Sequence, residues 1–450
     1  MTEKGVETKS DPKPKTSLKW TSYQKYIIFI LLLVHTFNLM DRQLINVLSP
    51  AIKQEFVLSD SQIGILTGLS FALLYAIFGF PIARLADKKN RVNIIAICLA
   101  LWSAMTALCG VANNYLQLLL ARMGVGVGEA GCNPPAHSLI SDYFPREQRA
   151  TALGIYSIGL TAGALFGIWI GGYLASKVGW RWAFIVLGLP GVLLALILKF
   201  TIKEPIRGAT ESAAVREALQ KSENSGPSVM KTLRILAGIK SYVILVISAG
   251  LTAFSGYALS LWIFHFIERS HGLGIGEVAG PLGFAIGVGG GIGIYLGGIA
   301  TDYLAKKDLS SYFLIPSIVH LVSVPIFLAA MWVSSPTLCF FLFFFVFALH
   351  ASVAGPYYGV VQNLAPVNLR AFAIALFAFF TVVLGLGLGP FLTGILSDIL
   401  AKTLGEANGL RWSLTALAPI WVIAAIMTLL GRKALVEDLR RAADSNIVTL

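Results

Sequence analysis

Apolar runs of about 20 residues, each long enough to cross a bilayer as a helix, recur along this chain between short polar connections. Twelve spans are predicted, near 24–47, 62–83, 92–112, 115–141, 150–175, 181–201, 241–267, 278–303, 313–333, 337–364, 371–400 and 412–431. A long polar stretch, 203–238, divides them six and six, so the expectation is a six-helix bundle over 23–202 and another over 239–433. Residues 1–22, rich in lysine and containing proline, read as a disordered tail, and 434–450 as a second tail. Within the linker, Glu211–Ser222 reads as a helix outside the membrane. The first apolar run is too long for a cleaved signal and lacks a small-residue cleavage site.

Composition agrees: 56% of the residues are hydrophobic and only 13% charged, which excludes an ordinary soluble domain. The net charge of +12 would suit nucleic acid were it not so one-sided. Lysines and arginines crowd the N-terminal tail, the connections after even-numbered spans (Lys88, Lys89, Arg91; Arg146, Arg149; Lys306, Lys307; Arg370), the linker and the C-terminal tail. Opposite connections hold few, among them Lys177, Arg181, Arg269 and Arg411. The positive-inside rule therefore expects both termini in the cytoplasm, and the partner is the bilayer rather than nucleic acid. All four cysteines (Cys98, Cys109, Cys132, Cys339) fall within spans and read as packing residues, with no metal or other cofactor implied.

The halves repeat. Pro145-Arg-Glu-Gln-Arg149-Ala-Thr-Ala152 after span 4 matches Pro366-Val-Asn-Leu-Arg370-Ala-Phe-Ala373 after span 10, with Pro135 and Pro356 at the same offset. The segment from Ala83 to Arg91, carrying Asp87, matches Gly298 to Lys306, carrying Asp302. Gly179-Trp-Arg181-Trp182 echoes Gly409-Leu-Arg411-Trp412. Such repeats point to a transporter whose binding site lies between the halves near the middle of the membrane. A channel is disfavoured because no filter-like segment is present, and an enzyme because no nucleophile–base set, nucleotide loop or metal spacing is present.

Ionisable residues sit inside these spans, where each costs several kcal/mol unless paired or wetted. Arg122 and Glu129 in span 4 are seven residues apart, on one helical face and roughly 10 Å apart along the axis. Asp41 lies roughly 12 Å from the outer end of span 1, at almost the depth of Arg122, so the two are expected to pair. Glu129 lies deeper, level with His35. Adjacent Asp41 and Arg42 point in different directions. Desolvation favours a protonated acid and a neighbouring arginine an ionised one, so such a carboxylate could switch with pH. Spans 7 and 10 offer no comparable acid–base group, but aromatic and polar residues that include Tyr257, Trp262, His350, Tyr357 and Tyr358. The plain alternatives are a structural salt link and ordinary packing.

Nearly the whole chain resembles the major facilitator superfamily, whose loop 2–3 signature the Asp87…Arg91 segment approximates, with Ala83, Lys88 and Asn90 as departures. Gly154, Gly163, Gly167, Gly171 and Gly172 are similar to the fifth-span glycine pattern of exchangers, with Ile168 where proline is usual. Asn38-Leu-Met-Asp41-Arg42 and Gly-Val-Gly-Glu129-Ala resemble the Spinster family, and the compact termini a bacterial relative. The resemblance implies an all-α membrane protein of two pseudo-symmetric six-helix bundles, a monomer in the plasma (bacterial inner) membrane. It also implies alternating access for an amphiphilic, lysolipid- or sphingosine-1-phosphate-like anion, coupled to protons. The expected roles are proton coupling at Asp41 and Glu129, and substrate contact at Arg42, Arg122, His35, Tyr257, Trp262, His350, Tyr357 and Tyr358. Asp87, Arg91, Asp142, Asp302 and Lys306 are expected to latch the cytoplasmic face. The alternative cargo is a small organic anion or sugar phosphate.

Overall fold

The computed structural model describes residues 19–210, 229–366 and 369–447. Residues 1–18 of the expected tail and the Glu211–Ser222 helix lie outside these; Trp20, within that tail, packs edge-on against Phe144 at 4.9 Å.

Local chemistry sets the helix ends. Thr21 and Gln24 form a reciprocal capping box at the start of span 1 (Ser22–Phe56), which ends at Val57 in the left-handed region, φ 51°. Ser59 and Gln62 do the same for span 2 (Asp60–Ala86), while Asn90 and Asn114 cap span 3 (Arg91–Cys109) and the start of span 4. Spans 5 (Arg146–Val178) and 6 (Trp180–Thr201) complete the first bundle. The second comprises spans 7 (Lys240–His271), 8 (Ile275–Ala305), 9 (Ser311–Trp332), 10 (Pro336–Leu364), 11 (Phe372–Leu404) and 12 (Glu406–Ala442).

Among the described residues, eleven of these are long and apolar enough to cross a membrane. The remaining one, span 4, is broken into Tyr115–Glu129 and Asn133–Tyr143. Pro134 and Pro135 have no N–H to give the carbonyls of Ala130 and Gly131, so the helix closes in tight three-residue turns and restarts. Pro356 sits just beyond a break at Val353 in span 10, and the repeat seen in the sequence thus recurs in the backbone. Non-helical backbone at membrane depth is tolerated only against protein or a wet cavity, which places both breaks toward the interior.

The halves meet along two seams. In one, spans 2 and 11 are so close that a Cβ on Gly68 would stand 2.5 Å from the Leu386 carbonyl oxygen. In the other, spans 5 and 8 touch from Gly172 and Ala279 as far as Thr161 and Gly291. Beyond that the partners separate: a Cβ on Gly154 or Gly298 would meet nothing within 4 Å. The halves are therefore closed at the face away from the termini, the distal face, and parted toward the terminal face. Wide π-helical turns occur in three of the four seam helices, at Ile65–Leu69, Phe284–Gly289 and Thr381–Leu388.

Gly68→Val is expected to wedge spans 2 and 11 apart. Thermal unfolding should show a loss of about 1–3 kcal/mol, the usual cost of overpacking, and spin labels across the distal face should move apart. Unchanged distances would mean that this contact does not set distal closure.

Candidate functional site

Span 1 delivers two adjacent charges to two different neighbours. Arg42 turns toward span 4 and binds Glu129, Nε to Oε2 at 2.6 Å, with the Glu129 side chain fully buried. The guanidinium also lies over the rings of Phe71 and Tyr75, each 5.0 Å away, so aromatic faces shield its other side. Asp41, rotated about 100° around the helix, faces span 3 and accepts a 3.1 Å hydrogen bond from the Thr106 hydroxyl; its Oδ1 has no partner.

Arg122 does not form the expected pair with Asp41. No carboxylate of the described residues comes within 4 Å of it, and its buried Nε and Nη1 have no hydrogen-bond partner. It is 1% exposed and lies beside Phe71, 5.5 Å from the ring centre. It lines a cavity of about 30 Å³ with Arg42, Gln43, Thr67, Phe71 and Tyr257, room for one or two waters. Two acids and two arginines thus make one ion pair, leaving Asp41 and Arg122 buried and uncompensated by direct contact.

A larger cavity, about 340 Å³, lies between spans 7, 10 and 11 and reaches Leu160 of span 5 and Ile294 of span 8. Tyr257, Ser260, His350, Tyr357, Tyr358 and Phe377 contribute to its wall. Tyr257 lines both cavities, joining the charged wall to the aromatic one. Gly256 faces the His350 ring so closely that a Cβ there would stand 2.1 Å from Nε2. Tyr357 is anchored by Ser248 at 3.2 Å, and Tyr358 packs on Phe377 at 5.1 Å.

Two other expected contacts are otherwise engaged. His35 stacks on Tyr156 at 4.3 Å and its Nδ1 bonds the Tyr156 carbonyl at 2.9 Å, between spans 1 and 5. Trp262 is fully buried and donates to the Pro390 carbonyl at 2.9 Å, between spans 7 and 11.

At the terminal face, Arg91 bonds Asp142 at 2.5 Å, Glu204 at 2.6 Å and Ser138 at 2.7 Å. Glu204 also accepts from the Val92 amide, and Asp142 from the Gly208 amide. These contacts strap the start of the linker to the first bundle and do not cross to the second. Asp302 accepts from Tyr312 at 3.3 Å, and Lys306 is exposed. The side chain of Asp87 lies outside the described residues.

The cross-bundle ionic cluster is at the distal face, and sequence reasoning missed it. Asp60 at the start of span 2 binds Arg269 of span 7 through two bonds of 2.6 and 2.8 Å, accepts from Ser397 at 2.6 Å and holds Lys53 at 2.7 Å. In return Asp398 of span 11 accepts from the Asp60 and Ser61 amides at 2.9 and 2.8 Å, capping span 2 from the other bundle. Ser49 and His265 add a 2.9 Å bond nearby. The available signal was Arg269, one of the few basic residues in connections otherwise poor in them.

A family model described as Major Facilitator Superfamily matches residues 31–390. An MFS-type efflux pump of Mycolicibacterium smegmatis is 32% identical over 416 residues, covering 91% of this chain and 94% of its own. The hexuronate transporter of Bacillus subtilis is 24% identical over 428 residues, covering 91% and 96%. The crystal structure of a bacterial homologue of the human lysosomal transporter Spinster, inward-facing and unoccupied, superposes with a TM-score of 0.83 at 31% identity, over 93% of this chain and 99% of that one.

Asp60→Asn keeps the shape of the distal cluster but removes the charge that Arg269 and Lys53 share. Cysteines placed on the distal side of the cavity should then react faster with a membrane-impermeant thiol reagent. Equal labelling rates would deny the cluster any part in closure.

Proposed function

The chain belongs to the Major Facilitator Superfamily and is a membrane transporter related to Spinster rather than an enzyme, and from that premise we propose that it moves an anionic amphiphile by proton-coupled alternating access. One observation carries this reading: a buried, unbonded Arg122 on a water-sized cavity that shares Tyr257 with a 340 Å³ aromatic cavity. An anionic head enters this cavity and takes the planar fork of Arg122, with Arg42 beside it. The apolar part lies against Tyr257, Tyr357, Tyr358 and His350. His35 and Trp262, both bonded to backbone carbonyls, act as positioning residues.

Glu129 and Asp41 carry the proton. A proton on Glu129 competes with Arg42, and cargo competes with the acids for the arginines, so proton and cargo occupancy are linked. The terminal face, by its lysines and arginines, is the cytoplasmic one, and the protein is a monomer in the bacterial inner membrane. The described conformation is then inward-open, with Asp60, Arg269 and Asp398 closing the outside. In the opposite state Asp87, Arg91, Asp142, Asp302 and Lys306 secure the inside.

The volume of the larger cavity favours a second reading. At about 340 Å³ it is near the small end of ligand sites, which suits a compact organic anion, the kind of cargo named for the Bacillus subtilis hexuronate transporter. Liposomes offered both cargo classes separate the two.

In such liposomes Glu129→Gln and Asp41→Asn should preserve cargo-for-cargo exchange and abolish accumulation driven by a proton gradient. Accumulation by both variants would route the proton elsewhere. Arg122→Lys retains charge without the fork and should weaken cargo binding about tenfold, the worth of roughly one charge-assisted bond; isothermal titration of both proteins checks this.

A further inference from the structure

The internal repeat sets two arginines in corresponding places on the distal face, and only one of them is neutralised. In the first bundle, Arg181 of the Gly179–Trp182 motif bonds Glu55 at 2.6 Å and the Ala112 carbonyl at 2.9 Å. Trp180 donates to the same carboxylate at 2.6 Å, and the Arg181 guanidinium lies over the Phe56 and Trp180 rings.

In the second bundle aromatic rings from other positions flank the arginine, and the carboxylate is missing. Arg411, in the matching Gly409–Trp412 motif, lies over Phe266 at 5.8 Å and Trp332 at 5.3 Å. No acid of the described residues pairs with it, and its buried Nε has no hydrogen-bond partner. The left-handed caps Val57 and Gly272 correspond, as do the N-caps Ser59 and Gly274 with their partners Gln62 and Glu277. The same register sets Ser270 where the first bundle has Glu55. The Ser270 hydroxyl and His271 Nε2 are also buried atoms without partners; the His271 ring is within electrostatic reach of Arg411 and is tied to the Ser334 backbone. Two nearby acids, Glu268 and Glu406, lie within electrostatic reach of Arg269.

We propose that Arg411, Ser270 and His271 form a binding site for a phosphate-type anion, which fills the place that the Glu55 carboxylate fills in the first bundle. Trp332 and Trp412, half exposed and in edge-to-face contact at 5.1 Å, stand beside it. Tryptophans are enriched at the level of the lipid headgroups, so the anion is a lipid headgroup phosphate or a free phosphate from the distal solution. The site is separate from the Arg122 cavity and independent of the cargo.

The test uses the full chain purified in a phosphate-free maltoside detergent. Thermal unfolding is followed with added phosphatidylglycerol in one arm and inorganic phosphate in the other. Protection by phosphatidylglycerol alone supports a headgroup site, and protection by both supports a site for the anion from either source. Arg411→Gln should weaken the protecting ligand about tenfold. Ser270→Glu, which rebuilds the carboxylate of the first bundle inside the second, should abolish the protection while keeping the fold. Arg181→Gln should leave it unchanged. Protection that survives in both Arg411→Gln and Ser270→Glu, or no protection by either ligand, overturns the proposal.

Discussion

The ion pair between Arg42 and Glu129 is the contact around which the first bundle is arranged. A carboxylate with no exposed surface, deep in a membrane segment, needs an opposite charge and a hydrogen bond at the same time. Arg42 supplies both, and the rings of Phe71 and Tyr75 cover its flank. The glycines beside Glu129 bring span 4 against spans 2 and 3: a Cβ on Gly126 would stand 2.9 Å from the Phe71 carbonyl oxygen, and one on Gly128 2.7 Å from the Trp102 side chain. Immediately after Glu129 the helix breaks at the prolines. Once Arg42 is committed to Glu129, Asp41 falls to Thr106 and Arg122 is left free of any acid.

That division of labour separates two properties the site needs. The paired charges give a neutral, tightly fixed wall, and Asp41 and Arg122 beside it keep buried polar atoms without partners. In the second bundle the corresponding region is aromatic and nearly free of charge, with its polarity spent on internal bonds such as Thr252 to His320 at 2.8 Å and Ser248 to Tyr357. The asymmetry of the site is thus chemical, while the breaks in spans 4 and 10 keep their correspondence in the backbone.

The spans and the one-sided charge were legible because both follow from composition over long windows. That Asp41, Arg122 and Glu129 lie inside spans was legible too, since each falls within a long apolar run. The pairing was not. Depth places Asp41 and Arg122 at one level, but the rotation of span 1 about its axis decides which neighbour each residue meets, and only packing fixes that rotation. Trp262 illustrates the same gap, turning toward Pro390 rather than the cavity. The distal cluster was hidden for another reason: Asp60, Arg269 and Asp398 come from distant parts of the chain and unite only when the two bundles meet.

Asp398 caps a helix that belongs to the other bundle, so the distal contact holds backbone as well as side chains. Parting the bundles would strip two amides of span 2 of their acceptor and leave Asp60, Arg269 and Asp398 to water. Each bundle brings one acid and one base to this cluster, Asp60 with Lys53 on one side and Asp398 with Arg269 on the other, so among these four residues neither side carries net charge. The hold is therefore short-range, a matter of bonds under 3 Å rather than of attraction through solvent, and screening by dissolved salt touches it little.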